Sequence, residues 1–278
     1  MADCTIEELE ELALRVRRRT IDMLYRAQAG HPGGSLSAVD ILTALYFGVL
    51  RIDPHNPSWG SRDRFVLSKG HAAPAFYAVL MEKGYFSKDL LATYDALDSC
   101  LQAHPDVTCP GVDVPSGSLG QGLSVGIGLA LGARLRKEHD LRVFVLLGDG
   151  ELQEGQVWEA AMAGAHFELD RLTAIIDANG LQLLGDVGDV MRVEPIADKW
   201  RAFGWEVIEI DGHDLSRILE ACEQAASLAG PVVIVARTVK GKGVREMENS
   251  AAWHSAPISD EVRRRALLDL GVPEGGAG

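Results

Sequence analysis

"LLGDGELQEGQVWEAAMAGAHFELDRLTAIIDANGLQL" (146–183) holds the end of one apolar run, a helical stretch and a second apolar run. The first run stops in Gly148-Asp149-Gly150, and the second stops in Asp177-Ala178-Asn179. Residues 152–168 between them carry helical periodicity. Strand, helix and strand in this order form a βαβ unit, whose crossover lays the two strands side by side and parallel. Both strands then end on the same edge of a sheet, each in an oxygen-bearing side chain.

Reading outward, apolar runs recur at 64–68, 142–148, 172–178 and 232–237, and an alternating run at 206–211 is expected nearer an edge. Continuous apolar strands belong to a parallel sheet covered on both faces, because crossover helices pack on each side. Helices are expected at 6–28, 35–48, 121–138, 152–168 and 214–229, the second with Ser35 as its N-cap and Asp40 on its polar side. The fold class predicted is α/β, a doubly wound parallel sheet with helices on both faces and ligand loops at the strand C-termini. One domain is expected over 1–270, followed by a Gly/Pro-rich flexible tail at 271–278.

Bulk composition narrows the function classes. The 278 residues are 47% apolar, enough for a sizeable core. A net charge of −13 argues against general binding to nucleic acid or an anionic membrane. The four cysteines, Cys4, Cys100, Cys109 and Cys222, lack metal-site or secreted-framework spacing, so free thiols in a reducing compartment are expected. The first twenty residues form an acidic-then-basic helix with no apolar signal region, and no run approaches a membrane span. A cytoplasmic protein is expected.

The glycines around Asp149 let backbone approach a ligand, and the helix that follows offers free N–H groups to an anion. Asn179 lies thirty residues beyond Asp149 and just past the adjoining strand. One carboxylate, one amide oxygen and a backbone carbonyl, beside two phosphate oxygens and a water, would complete an octahedral Mg²⁺ shell. Each residue taken alone could be local punctuation, Asp149 a helix cap and Asn179 an Asx turn. Their joint placement at βαβ distance favours the metal and diphosphate reading.

Asp149-Gly150 with Asn179 resembles the thiamine diphosphate motif. The words "AGHPGGSLSAVDIL", "SKGHAAPAFYA", "GSLGQGLS", "GDGELQEGQVWEA", "AFGWEVIEIDGHD" and "VKGKGV" resemble the N-terminal part of transketolases, from about residue 10 to residue 257. The resemblance implies thiamine diphosphate and Mg²⁺ (or Ca²⁺ or Mn²⁺) as cofactors. It implies that Asp149, Asn179 and the Leu181 carbonyl hold the metal. Gly117, Ser118 and Leu119 would line the thiazolium and pyrimidine side, with Gly150 against the diphosphate. Lys240 would stand near the diphosphate. Glu154 would match the family's buried glutamate near the dimer interface, thought to couple two active sites.

Four histidines, His31, His71, His104 and His254, sit in loop contexts beside Gly or Pro. Imidazole donates, accepts and titrates near neutrality, so such a set suits polyol chemistry. By resemblance, His71 would contact diphosphate and substrate, while His31, His104 and His254 hold the donor's hydroxyls and assist proton transfer. The other four, His55, His139, His166 and His213, match no catalytic position. Ser255 stands where the family usually has glycine after the histidine matched by His254.

The resemblance further implies the N-terminal subunit of a split transketolase, moving a two-carbon ketol unit from a ketose to an aldose. Full-length transketolases continue through a pyrimidine-binding domain, which carries the activating glutamate, and a C-terminal domain. Those parts are expected on a separate C-terminal subunit. A homodimer in isolation and an α₂β₂ assembly are expected, with sugar or sugar-phosphate substrates. Two alternatives stay open: a deoxyxulose-phosphate-synthase-like or 2-oxo acid decarboxylating subunit, and a non-catalytic regulatory binding subunit.

Overall fold

The structure, a computed structural model, describes residues 4–273. In chain order the helices are α1 (Ile6–Ala27), α2 (Pro32–Ala44), α3 (Ala73–Lys83), α4 (Gln121–Leu135), α5 (Gly155–His166), α6 (Val187–Val190), α7 (Ile196–Ala202), α8 (Leu215–Ser227) and α9 (Asp260–Asp269). The strands are β1 (Arg64–Leu67), β2 (Val143–Gly148), β3 (Leu172–Ala178), the short pair β4 (Leu181–Gln182) and β5 (Gly185–Asp186), β6 (Glu206–Asp211) and β7 (Val232–Arg237).

β1, β2, β3, β7 and β6 lie side by side in that order, all parallel, while β4 and β5 form a separate antiparallel ribbon. Each strand sends alternate side chains to opposite faces. Phe144, Leu146, Ile175 and Ile234 join one core with α1, α2, α3 and α8. Val143, Val145, Leu172, Ala174, Ile176, Val233 and Val235 join the other, with side chains from α4, α5 and α7. β2 and β3 are buried throughout, whereas β6, at the edge, mixes exposed and half-buried residues. The α/β fold with a doubly covered parallel sheet is the one predicted.

Local chemistry explains the helix ends. α1 begins in a capping box, in which the Thr5 hydroxyl accepts from the Glu8 amide and the Glu8 side chain accepts from the Thr5 amide. α2 departs from expectation. It starts at Pro32 with His31 as N-cap, so Ser35 lies inside the first turn, buried, its hydroxyl without a partner. Proline suits a first helical position, which outweighs serine's capping preference. The whole of α2 is buried, and Asp40 faces a guanidinium instead of water. Of the tail expected at 271–278, Val272 still donates its amide to the Leu267 carbonyl, and 274–278 lie outside the described residues. No helix of the described residues is long and apolar enough to cross a membrane.

Candidate active site

The βαβ argument requires β2 and β3 to end together, and they do: Gly148 pairs with Asp177 in register. Asp149 follows immediately. Its carboxylate accepts the Gly150 amide at 2.8 Å and the Gly180 amide at 2.6 Å, tying the two strand ends. Asn179 Oδ1 accepts the Leu181 amide at 3.1 Å, and its Nδ2 donates to Asp177. The local cap and Asx-turn roles are thus realised together with the convergence.

Asp149 is 4% exposed, and burial pushes its carboxyl up to about 6. Backbone amides alone do not offset the desolvation of that charge, so the pocket suits a cation. The Leu181 carbonyl already accepts a hydrogen bond from Lys240 Nζ at 3.1 Å. Carboxylate, amide oxygen and carbonyl are the hard-oxygen donor types that a divalent ion takes.

The four loop histidines come from distant parts of the chain and meet here. His31 caps α2, and His71 sits in a tight turn between β1 and α3. His104 lies in the long connection to α4, and His254 ends the turn Ala251–Trp253. The His31 ring lies 5.5 Å from His71, 6.2 Å from His104 and 5.6 Å from His254, centroid to centroid. His71 stacks on His254 at 5.3 Å. A Cβ on Gly34 would come within 2.9 Å of the His71 ring, so this wall of the site needs glycine.

Burial and neighbouring positive charge keep the His31, His71 and His254 rings neutral. Burial first, then Lys69, holds His71 well below the ordinary histidine range. Burial, with His104 and Lys240, lowers His31, and burial with Lys240 pushes His254 down to about 4. Lys240, itself lowered to about 8 by burial and by Lys69, lies 3.0 Å from His254 Nδ1. The buried His31 Nδ1 and Ser116 Oγ have no partner. Unpaired buried polar atoms beside this cluster of imidazoles suit a ligand rich in hydroxyls or phosphate oxygens.

Gly117 and Gly150 line the rim half-buried, and Ser118, Leu119 and Glu154 are exposed. The burial expected of Glu154 is one against a second copy; within this chain the buried acid is Glu151, three residues earlier.

Several residues at the site have no role that the motifs alone assign. Lys69 and Asp177 form a buried ion pair at the ends of β1 and β3, and Ser37, Thr238 and Asn179 also donate to Asp177. A charged residue closing an apolar strand, as in "VLSK" and "AIID", was the available signal. Behind the Lys240 loop, His213 Nε2 accepts the Val239 amide at 2.8 Å, so Nδ1 carries the proton donated to Asp40 at 2.7 Å. Asp40 takes both Arg17 Nη groups as well.

Residues 9–273 match the family model described as transketolase, thiamine diphosphate binding domain. The chain is 44% identical to an apulose-4-phosphate transketolase subunit of Phocaeicola vulgatus, over 95% of this chain and 94% of that protein. It is 43% identical to 6-deoxy-6-sulfo-D-fructose transketolase subunit SqwG of a Clostridium species, over 95% and 96% of the two chains. It superposes on the crystal structure of Campylobacter jejuni transketolase with a TM-score of 0.92 at 37% identity, covering 96% of this chain and 43% of that one. The motif order, the convergent strand ends and these matches agree, and the chain belongs to the transketolase N-terminal, thiamine diphosphate binding family.

Proposed function

We propose that this chain is the N-terminal subunit of a two-chain transketolase. It binds thiamine diphosphate and Mg²⁺ and, with a C-terminal subunit, transfers a two-carbon ketol unit from a ketose to an aldose. The observation that carries this reading is the gathering of His31, His71, His104 and His254 beside Asp149 and Lys240. The near end-to-end match to two proteins named as transketolase subunits supports the division into two chains.

Asp149, Asn179 and the Leu181 carbonyl would hold the metal; Gly117, Ser118, Leu119, Gly150, His71 and Lys240 would surround the cofactor. When bound, thiamine diphosphate supplies a carbon nucleophile and an electron sink. The chain's own part is to hold the donor. An imidazole carries two ring nitrogens that can donate or accept, so four such rings can bind adjacent hydroxyls and move a proton at one oxygen. Lys240 keeps a positive charge beside them for an anionic group. A decarboxylating or purely regulatory subunit would leave this histidine cluster without hydroxyls to hold.

Self-association to a dimer, and an α₂β₂ assembly with the C-terminal subunit, belong to the same reading. Val125 on α4 and Met162 on α5 are exposed apolar side chains on two helices that pack together. A second copy laid there would also cover Glu154, as coupling of two sites through it requires. The free thiols fit a reducing, cytoplasmic compartment.

The test is co-purification with the candidate C-terminal subunit, followed by an assay over a panel of ketoses that includes phosphorylated and sulfonated sugars. Ketol transfer is expected from the pair and none from this chain alone. Robust transfer by the single chain, or none by the pair with any ketose, would refute the reading.

A further inference from the structure

Glu151 lies in the same "GDGE" word as Asp149, yet its carboxylate is turned into the protein and is 2% exposed. Oε1 accepts the Gly120 amide at 2.8 Å and the Ser68 hydroxyl. Oε2 accepts the Gly148 amide at 3.0 Å. Ser68 Oγ in turn accepts the Gly122 amide at 3.2 Å. Each partner adjoins a different part of the site. Ser68 precedes Lys69-Gly70-His71 at the end of β1. Gly148 precedes Asp149-Gly150 at the end of β2. Gly120 follows Gly117-Ser118-Leu119 and opens α4.

We infer that Glu151 is a positioning residue that holds these three loops in register for the cofactor. The inference rests on the thiamine diphosphate reading of the site. All the groups facing the carboxylate donate, so its two oxygens satisfy them only as acceptors. The negative charge also sits at the N-terminus of α4, where the helix dipole favours it. α4 reaches Ser68 because residue 122 is glycine: a Cβ there would overlap the Ser68 side chain. Glu151 itself is turned away from the ligand side, and a carboxylate would repel a diphosphate. Its effect on the cofactor must therefore pass through the loops it ties.

Glutamine at 151 keeps the shape but presents an NH₂ group to an amide that donates. One loop then loses its acceptor and shifts. Groups that orient ligands without touching the bound species typically contribute about 10–100-fold to affinity.

The experiment uses this chain in complex with the C-terminal chain, stripped of cofactor. Mg²⁺-thiamine diphosphate is titrated by calorimetry into wild type, Glu151→Gln and Ser68→Ala. Turnover at saturating cofactor and the cofactor-free melting midpoint are measured alongside. Glu151→Gln is expected to raise Kd at least about tenfold, within the range for such orienting groups, with turnover restored by excess cofactor. Ser68→Ala should raise Kd less, since the carboxylate keeps both amide donors. A positioning role splits Kd from kcat; a merely structural one lowers the melting midpoint and leaves the Kd of the folded protein unchanged. An unchanged Kd in Glu151→Gln, or lost turnover at saturation with unchanged Kd, overturns the inference alone. If Glu151→Gln does not fold, an unchanged Kd in Ser68→Ala overturns it. Absence of binding by wild type overturns the reading of the site and this inference with it.

Discussion

Replacing Lys69 with methionine should destabilise the chain, and replacing both members of its ion pair should cost less than the two single replacements added together. The Lys69 and Asp177 side chains are 1% and 0% exposed. Without the ammonium, Asp177 keeps Ser37 Oγ at 2.6 Å, Thr238 Oγ1 and Asn179 Nδ2 at 3.3 Å, all neutral donors for a fully buried charge. Removing one partner of a buried pair costs about 3–5 kcal/mol. The surviving hydrogen bonds, about 1 kcal/mol net each, place this case at the lower end, about 3 kcal/mol. At about 2–4 °C per kcal/mol, the melting midpoint falls by roughly 6–12 °C. Asp177→Asn strands the ammonium instead, at similar cost. The double variant Lys69→Met/Asp177→Asn leaves no unpaired charge, so its loss should undercut the sum of the single losses by about 1–3 kcal/mol. Urea denaturation of the four cofactor-free proteins, followed by circular dichroism, measures the cycle. A Lys69→Met loss under about 1 kcal/mol, or a strictly additive double variant, would show that the pair is not coupled as its burial requires.

Asp149→Ala should abolish metal-dependent binding of thiamine diphosphate by the assembled enzyme, and chelating Mg²⁺ from wild type should mimic it; unchanged calorimetric affinity would remove Asp149 from the metal site. His31→Gln and His104→Gln should each lower ketol transfer by about 10²–10⁴-fold, the usual contribution of a positioned acid or base, without moving the melting midpoint. Intact turnover with reduced stability would make those histidines structural. His254, pushed from 6.5 down to about 4, gives a pH prediction for the cofactor-free chain. The unfolded chain takes up that proton first, so stability present above pH 6.5 is lost as pH falls toward 4. His254→Asn should make the melting-midpoint curve shallower across that window, His31 and His71 keeping part of the slope, and an identical curve would count against the buried neutral imidazole.

Much of the molecule could be read from residue order. Strand runs such as "RVFVLLG" and "VVIVAR" are apolar throughout because a parallel sheet with helices on both faces leaves no strand face in water. The spacing from Asp149 to Asn179 implied adjoining strand ends, since one crossover helix separates them. Local rules failed where tertiary contacts outweighed them. Ser35 has the right chemistry for a cap, but Pro32 starts the helix and the turn is buried. Asp40 looked like a solvated helix acid, yet Arg17 and His213, 23 and 173 residues away, enclose it.

The sequence by itself determined the sheet, its two covered faces and the oxygen-bearing strand ends that meet on one edge, because period and spacing are local along the chain. Which glutamate of "GDGELQEG" turns inward was a matter for the tertiary structure: Glu151 meets amides at Gly120 and Gly148 and the Ser68 hydroxyl, whereas Glu154 faces outward. The same holds for the histidines. Flanking glycine and proline mark His31, His71, His104 and His254 as loop residues, but only tertiary packing sets the His31 ring 5.5–6.2 Å from the other three. Burial among lysines, which holds His31, His71 and His254 neutral, is a property of that packing and of no residue alone.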